Sequence, residues 1–188
     1  RELRLVYELK NVKYRKSTLA ISDSFLQNKV APLLADAAAR QGAPKDVFVA
    51  VNKRLRKENE DRITVITSKA TPSMLWKDAF AQLSNSKVEA NFADERTYTY
   101  KGEPIDVAYH LGYDLSVTKN YPVEASNSGT VAFTGDLGIY GNTVILDHGL
   151  GLFSLYGHLS SIDVKAGDSV AKRQILGKTG ETGLAAGD

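Results

Sequence analysis

The chain contains no cysteine, so disulfides and thiolate metal sites are excluded and any bound metal must be held by His, Asp or Glu. It lacks an apolar run of the roughly 18 residues that a membrane-crossing helix needs, so stable membrane insertion of this segment is not expected. It also lacks a strong excess of charge: the formal net charge is +2, which by itself does not favour a nucleic-acid partner. The basic run Lys53-Arg54-Leu55-Arg56-Lys57 stands beside Glu58, Glu60 and Asp61 and reads as a solvated helix face. There is no signal peptide, and the first residue is Arg1 rather than Met, as in a processed form whose export signal has gone.

With 43% hydrophobic residues in 188, there is enough apolar material for one sizeable core or two small ones. The texture divides it. Up to about Asn91 it mixes strand and helix. Leu3 to Lys13 alternates like a half-buried strand. Ser22 or Asp23 looks like a helix cap, followed by helically spaced Phe25, Leu26, Val30, Leu33, Leu34, Ala37 and Ala38, with Gly42 as a stop. Pro32 predicts that this helix starts near it. A second helix is predicted over Val47 to Asn59 with Asp46 at its cap. A strand is predicted at Ile63 to Ile66, and a short helix at Ser73 to Leu83 carrying the single Trp76.

Beyond Asn91, glycines separate short runs such as Thr130–Phe133, Thr143–Leu146 and Leu152–Tyr156, the pattern of an antiparallel sheet or barrel. The expected fold class is α+β: residues 1–90 form a smaller mixed α/β accessory or prosegment-like domain, and residues 91–188 a barrel-like antiparallel β-sheet domain.

All three histidines, His110, His148 and His158, lie in the β-rich part. His110 and Asp114 are four apart, and Gly112 between them argues for a turn that brings both side chains to one point. Imidazole and carboxylate are both zinc ligands, though a plain surface His–Asp contact has the same spacing. His158 follows an apolar strand. It suits either a hydrogen-bonded structural role or a general base beside a metal. His148, after Asp147 and before Gly149, is expected to be structural or solvent-exposed.

Together these segments resemble the lysostaphin/LytM-type zinc metallopeptidases, over about residues 92–188. The resemblance rests on His110-Leu111-Gly112-Tyr113-Asp114 as an H-x-x-x-D motif, on Tyr140-Gly141-Asn142 through Asp147-His148-Gly149, on Tyr156-Gly157-His158-Leu159-Ser160, and on Gly180-Glu181-Thr182-Gly183. It implies that His110 and Asp114 are two of three protein ligands to zinc (Zn2+), that His158 is the first of two catalytic histidines, and that His148 is outside the metal set. It also implies endopeptidase action on peptidoglycan stems or cross-bridges, in the periplasm, the cell envelope or outside the cell. The family pattern continues into H-x-H, which supplies the second catalytic histidine and third ligand. Here Leu184-Ala185-Ala186-Gly187-Asp188 follows the turn, so the domain is expected to be C-terminally incomplete and inactive or weak as this chain.

Two other readings compete. A non-catalytic LytM-like module would activate another cell-wall hydrolase; retention of His110, Asp114 and His158 argues against it. A lipoyl- or biotinyl-like carrier is echoed by Gly129-Thr130-Val131 and Gly167-Asp168-Ser169-Val170. Lys165, however, sits too close to the second of these to be the carrier lysine. Residues 1–90 are expected to gate the groove or to locate the domain on the wall.

Overall fold

The computed structural model describes residues 12–185. The strand expected at Leu3 to Lys13 lies almost wholly outside the described residues.

The first described strand, β1 (Lys16–Ala20), leads into helical residues 23–33. Ser22 caps that helix, its hydroxyl accepting the Phe25 amide at 3.1 Å. Pro32 ends the helix instead of starting it. The ring offers no N–H to the preceding turn, so the wide turns of Leu26–Val30 tighten into a 3-10 turn and Leu34 becomes extended. A short helix, Ala37–Arg40, is capped by Asp36, and Gly42 follows it.

Residues 44–67 then form one continuous helix, longer than predicted in both directions. Pro44 occupies its first turn and Asp46 does not cap it. The strand predicted at Ile63 to Ile66 is instead this helix's final stretch. The helix is already nucleated at Pro44, and the Thr64 and Thr67 hydroxyls bond back to the Glu60 and Ile63 carbonyls at 3.0 and 2.9 Å. Along the basic run Arg54 pairs with Glu58 and Lys57 with Asp61 on a solvated helix face, whereas Lys53 reaches the buried carboxylate of Asp106.

The helix predicted at Ser73 to Leu83 is an irregular strap. Its backbone donors bond to the sheet rather than to residues four back: Leu75 N–H to the His148 carbonyl at 2.8 Å, Lys77 N–H to Asn127 Oδ1 at 3.1 Å, and Ala81 N–H to the Ser126 carbonyl at 2.8 Å. Trp76 and Phe80 follow that path, and Phe80 meets the His148 ring edge-on at 4.9 Å.

The remaining strands are β2 (Lys87–Ala90), β3 (Glu95–Tyr100), β4 (Glu103–Tyr109), β5 (Asp114–Ser116), β6 (Pro122–Glu124), β7 (Gly129–Asp136), β8 (Asn142–Gly149), β9 (Leu152–Leu159), β10 (Ser161–Ile162), β11 (Ser169–Val170) and β12 (Ile175–Lys178). Strands β7, β8 and β9 form an antiparallel meander with β11 on its outer edge, and β10-β12-β6 makes a second antiparallel sheet. Val123, Val131, Val144, Leu146, Leu159, Val170 and Leu176 are buried together between these sheets. The fold is thus α+β with a β-rich C-terminal part whose strands do not close into a barrel.

A third sheet has the order β1-β3-β4, with β1 parallel to β3. Backbone pairing therefore crosses the expected boundary near residue 90. The helices pack on this sheet through Val30, Val47, Phe48 and Val51, with the Phe48 ring 4.9 Å from Tyr98. The same cluster takes in Ile139, and Asn59 of the long helix accepts the Ile139 amide at 2.9 Å.

Candidate active site

His110 leaves the end of β4 and Asp114 opens β5, with Leu111, Gly112 and Tyr113 forming the turn between them. Residues 90–96 hold both ends of that turn. Strand β2 pairs Ala90 with Asp114. The His110 amide donates to the Asp94 carbonyl at 2.9 Å, and the His110 carbonyl accepts the Ala93 amide at 2.7 Å. The result places His110 Nε2 at 3.1 Å from Asp114 Oδ1. The other carboxylate oxygen, Oδ2, accepts from the Arg96 guanidinium at 2.7 Å.

The His110 ring is oriented by its second nitrogen. Nδ1 lies 3.0 Å from the Asn91 carbonyl, which can only accept, so Nδ1 carries the hydrogen. In the neutral ring Nε2 then has a lone pair directed at a carboxylate oxygen. Two acceptors this close need a cation, either a proton on the ring or a metal ion, to bind them together. Burial raises the Asp114 carboxyl, but the bonds from His110 and Arg96 outweigh it and hold the group at about 2.

His158 reaches the site through a backbone irregularity. Val144 pairs with Tyr156 and Asn142 with Leu159, so Gly157 and His158 together stand opposite Thr143. The extra residue is a β-bulge, and it turns His158 to a positive φ of 61°. His158 Nδ1 donates to the Thr182 carbonyl at 2.8 Å, leaving the Nε2 lone pair free. Burial pushes the imidazole below its ordinary value, opposed in part by the Thr182 carbonyl and the Asp114 charge. A neutral ring with an open Nε2 can accept a proton.

Thr182 is itself fixed. Its hydroxyl accepts the Asn142 amide and donates to the Leu159 carbonyl, each at 2.9 Å. The turn lies so close to Gly141 that a Cβ there would come within 2.4 Å of Thr182 Oγ1, and Gly141 itself has φ 63°. Lys29 from the first helical run donates to the Glu181 carbonyl at 2.8 Å, bracing the turn from outside.

His110, Asp114 and His158 all line one cleft of about 1160 Å³, together with Tyr113, Tyr140 and Tyr156. His148 stays apart. It is fully buried, with Nδ1 2.7 Å from the Ser128 carbonyl and Nε2 2.7 Å from Ser154 Oγ, so its place is structural and not solvent-exposed. Among the described residues, no group of three or more His, Cys, Asp or Glu side chains comes together as a metal site. The donor set in place is the His110–Asp114 pair, whose chemistry fits a divalent cation as two of its ligands. Asn91 and Arg96 lie in no motif, and Thr182 is legible in the sequence only as part of the Gly180–Gly183 turn, not as a partner of His158. Two of them act through backbone carbonyls, and such roles leave no mark in side-chain identity.

Residues 108–188 match the model of peptidase family M23. The DD-carboxypeptidase/endopeptidase Mpg of Neisseria meningitidis serogroup B is 37% identical over 78 residues, which are 42% of this chain and 18% of that protein. The peptidoglycan DD-endopeptidase ShyA of Vibrio cholerae serotype O1 is 34% identical over 104 residues, 55% of this chain and 24% of that protein. The chain thus spans about a quarter or less of the length of these curated relatives. A crystal structure assigned to peptidase M23 from Pseudomonas aeruginosa superposes with a TM-score of 0.58 at 28% identity, covering 71% of this chain and 52% of that one. Over residues 108–188 the β-rich C-terminal part of this chain is thus similar to peptidase family M23, the family of the lysostaphin/LytM-type peptidases.

Proposed function

We propose that this chain carries the metal-binding pair and the base of a zinc-dependent endopeptidase that acts on peptidoglycan peptides at the cell envelope or outside the cell. One observation carries the metal reading. His110 Nε2 and Asp114 Oδ1 face each other at 3.1 Å while Nδ1 is committed to the Asn91 carbonyl, an arrangement that a cation completes. His110 and Asp114 would hold zinc, with the third donor supplied by the H-x-H that the family resemblance places after the Gly180–Gly183 turn. Zinc, when bound, supplies a Lewis acid that makes water nucleophilic near neutral pH and polarises the scissile carbonyl.

The protein groups do the rest. Asn91 fixes the His110 tautomer, so Nε2 is the ligating atom. His158, neutral and with Nε2 toward the cleft, accepts the proton released as water attacks and can hydrogen-bond the developing oxyanion once it carries that proton. The cleft, about 1160 Å³, has room for a peptide segment. A peptidoglycan substrate is favoured by the relatives named for peptidoglycan DD-endopeptidase and DD-carboxypeptidase/endopeptidase activity. Residues 1–90 serve as an accessory region to the M23 domain, with Lys29 on Glu181 as one of its contacts at the site.

The test is zinc content by elemental analysis on the chain and on His110→Ala, alongside hydrolysis of peptidoglycan peptides. Zinc present in the chain and lost in the variant is the expected result; equal zinc in both sinks the ligand assignment. The same assays are run on the 188-residue chain continued through a His-x-His, which completes the donor set and the catalytic pair that the family resemblance implies. An extended chain that takes up no zinc but stimulates a separate wall hydrolase would favour the non-catalytic activator.

A further inference from the structure

We infer that Arg96 is a positioning residue for the metal site, holding Asp114 so that one carboxylate oxygen, Oδ1, is presented to the cation beside His110. The inference rests on the zinc reading above and adds a residue that lies outside the stretch matched to the M23 family, 108–188.

The two oxygens of Asp114 are divided between two partners. Oδ2 accepts from Arg96 at 2.7 Å, and Oδ1 faces His110 Nε2 at 3.1 Å. A carboxylate engaged this way has one oxygen left for a metal, which makes it a one-oxygen ligand with a fixed plane. Without the guanidinium, the carboxylate of a half-exposed Asp114 is free to rotate about its last bond, and each ligation event must then order it.

Arg96 is well placed for this task because its backbone cannot drift. It sits on β3, the middle strand of its sheet, paired with Ser17 of β1 on one side and Ala108 of β4 on the other. Its side chain is only 20% exposed, against 50% for Asp114. The strand that carries Arg96 thus also carries, two residues after His110's backbone partner Asp94, the group that orients the second ligand. Both proposed ligands are aimed from the short stretch that leads into the start of β3: His110 through the Asn91 carbonyl and Asp114 through Arg96.

The opposing possibility is that the guanidinium competes with the metal, standing in for it against Asp114. The two make opposite predictions. A positioning arginine strengthens metal binding, and a competing one weakens it.

The experiment measures zinc affinity of the full 188-residue chain by competition with a chromophoric chelator, for wild type, His110→Ala, Arg96→Gln and Arg96→Lys. Thermal unfolding in chelator serves as the fold control. Arg96→Gln is expected to lower zinc affinity by about 10- to 100-fold, the usual effect of losing an outer-shell partner. Arg96→Lys, which keeps the charge but not the planar fork, is expected to lose about threefold or more and less than Arg96→Gln. Affinity of Arg96→Gln within twofold of wild type, or tighter than wild type, overturns the positioning role. If Arg96→Gln does not fold, Arg96→Lys decides by the same rule, equal or tighter binding overturning it. If wild type and His110→Ala bind zinc alike, the zinc reading fails and the Arg96 role falls with it. If those two differ while the Arg96 variants match wild type, only the Arg96 role falls.

Discussion

The turn that orients His158 hangs on one hydroxyl, and replacing it tests how that histidine is held. Thr182→Val is nearly isosteric and removes only the polar atom. Oγ1 now accepts the Asn142 amide and donates to the Leu159 carbonyl, each at 2.9 Å in a half-buried setting. The Leu159 carbonyl keeps a second partner in Asn142 Nδ2 at 3.1 Å, so the larger cost falls on the Asn142 N–H. Leaving a buried donor unsatisfied costs about 1–3 kcal/mol, and roughly 2 kcal/mol is expected here. For a chain of this size that corresponds to a melting point lower by about 4–8 °C. The new methyl also cannot sit where the oxygen sat, because 2.9 Å to the Asn142 nitrogen and the Leu159 oxygen is a hydrogen-bond distance, too short for a carbon. The turn must therefore shift, and the Thr182 carbonyl moves from His158 Nδ1. Circular-dichroism melting measures the first effect, and 15N shifts of the His158 ring measure the second, through loss of a single tautomer. Thr182→Ser should behave like wild type in both. A Thr182→Val protein within about 0.5 kcal/mol of wild type and with unchanged ring shifts would refute the reasoning, since surface substitutions stay within that range.

Further outcomes follow from the core and the charges. Phe48, fully buried against Tyr98 in the cluster that includes Ile139, should cost about 3–5 kcal/mol as Phe48→Ala, read by urea unfolding; a loss under 1 kcal/mol would mean that the helices do not pack on the sheet as described. Stability in chelator should also depend on pH. Asp114 is held at about 2 and Asp147 is likewise lowered, burial raising it but the Thr71 hydroxyl and amide and the Gly149 amide prevailing. A depressed carboxyl adds stability above its unfolded value of about 3.9, and that stability disappears as pH falls through the folded value, so it should be lost between roughly pH 4 and 2. His158, also depressed, adds a separate loss as pH falls below the unfolded imidazole value of about 6.5, because the unfolded chain takes up that proton first. Urea midpoints from pH 7 to 2 check both, and Asp147→Asn should flatten the acid limb; an unchanged acid slope in that variant would count against the assignment.

Much of the β-rich part was legible because its signal is local. Short β-branched runs between glycines predict strands, and β7, β8 and β9 each contain one of the runs read from the sequence. The helical half was read less well. Pro32 was expected to start a helix that it ends, since a proline's missing N–H is tolerated at either helix margin and only the packed neighbours decide which. Ile63 to Ile66 resembles a strand by composition, yet it continues a helix nucleated at Pro44. The strap at residues 73–83 has helical spacing, but its amides found better partners on Ser126, Asn127 and His148.

For the candidate site, the sequence alone determined the chemistry on offer: no thiolates, three histidines, and a His–x–x–x–Asp spacing across a glycine turn. Spacing cannot say whether two side chains meet. Tertiary structure decided that His110 and Asp114 lie 3.1 Å apart, because residues 90–96 pair with both ends of their turn. It decided that a bulge turns His158 toward the same cleft and that His148 is buried behind Phe80. It also brought in Arg96, whose role depends on strand register rather than on any motif. The local alphabet names the groups; long-range backbone pairing, which no short window contains, sets which of their lone pairs face one another.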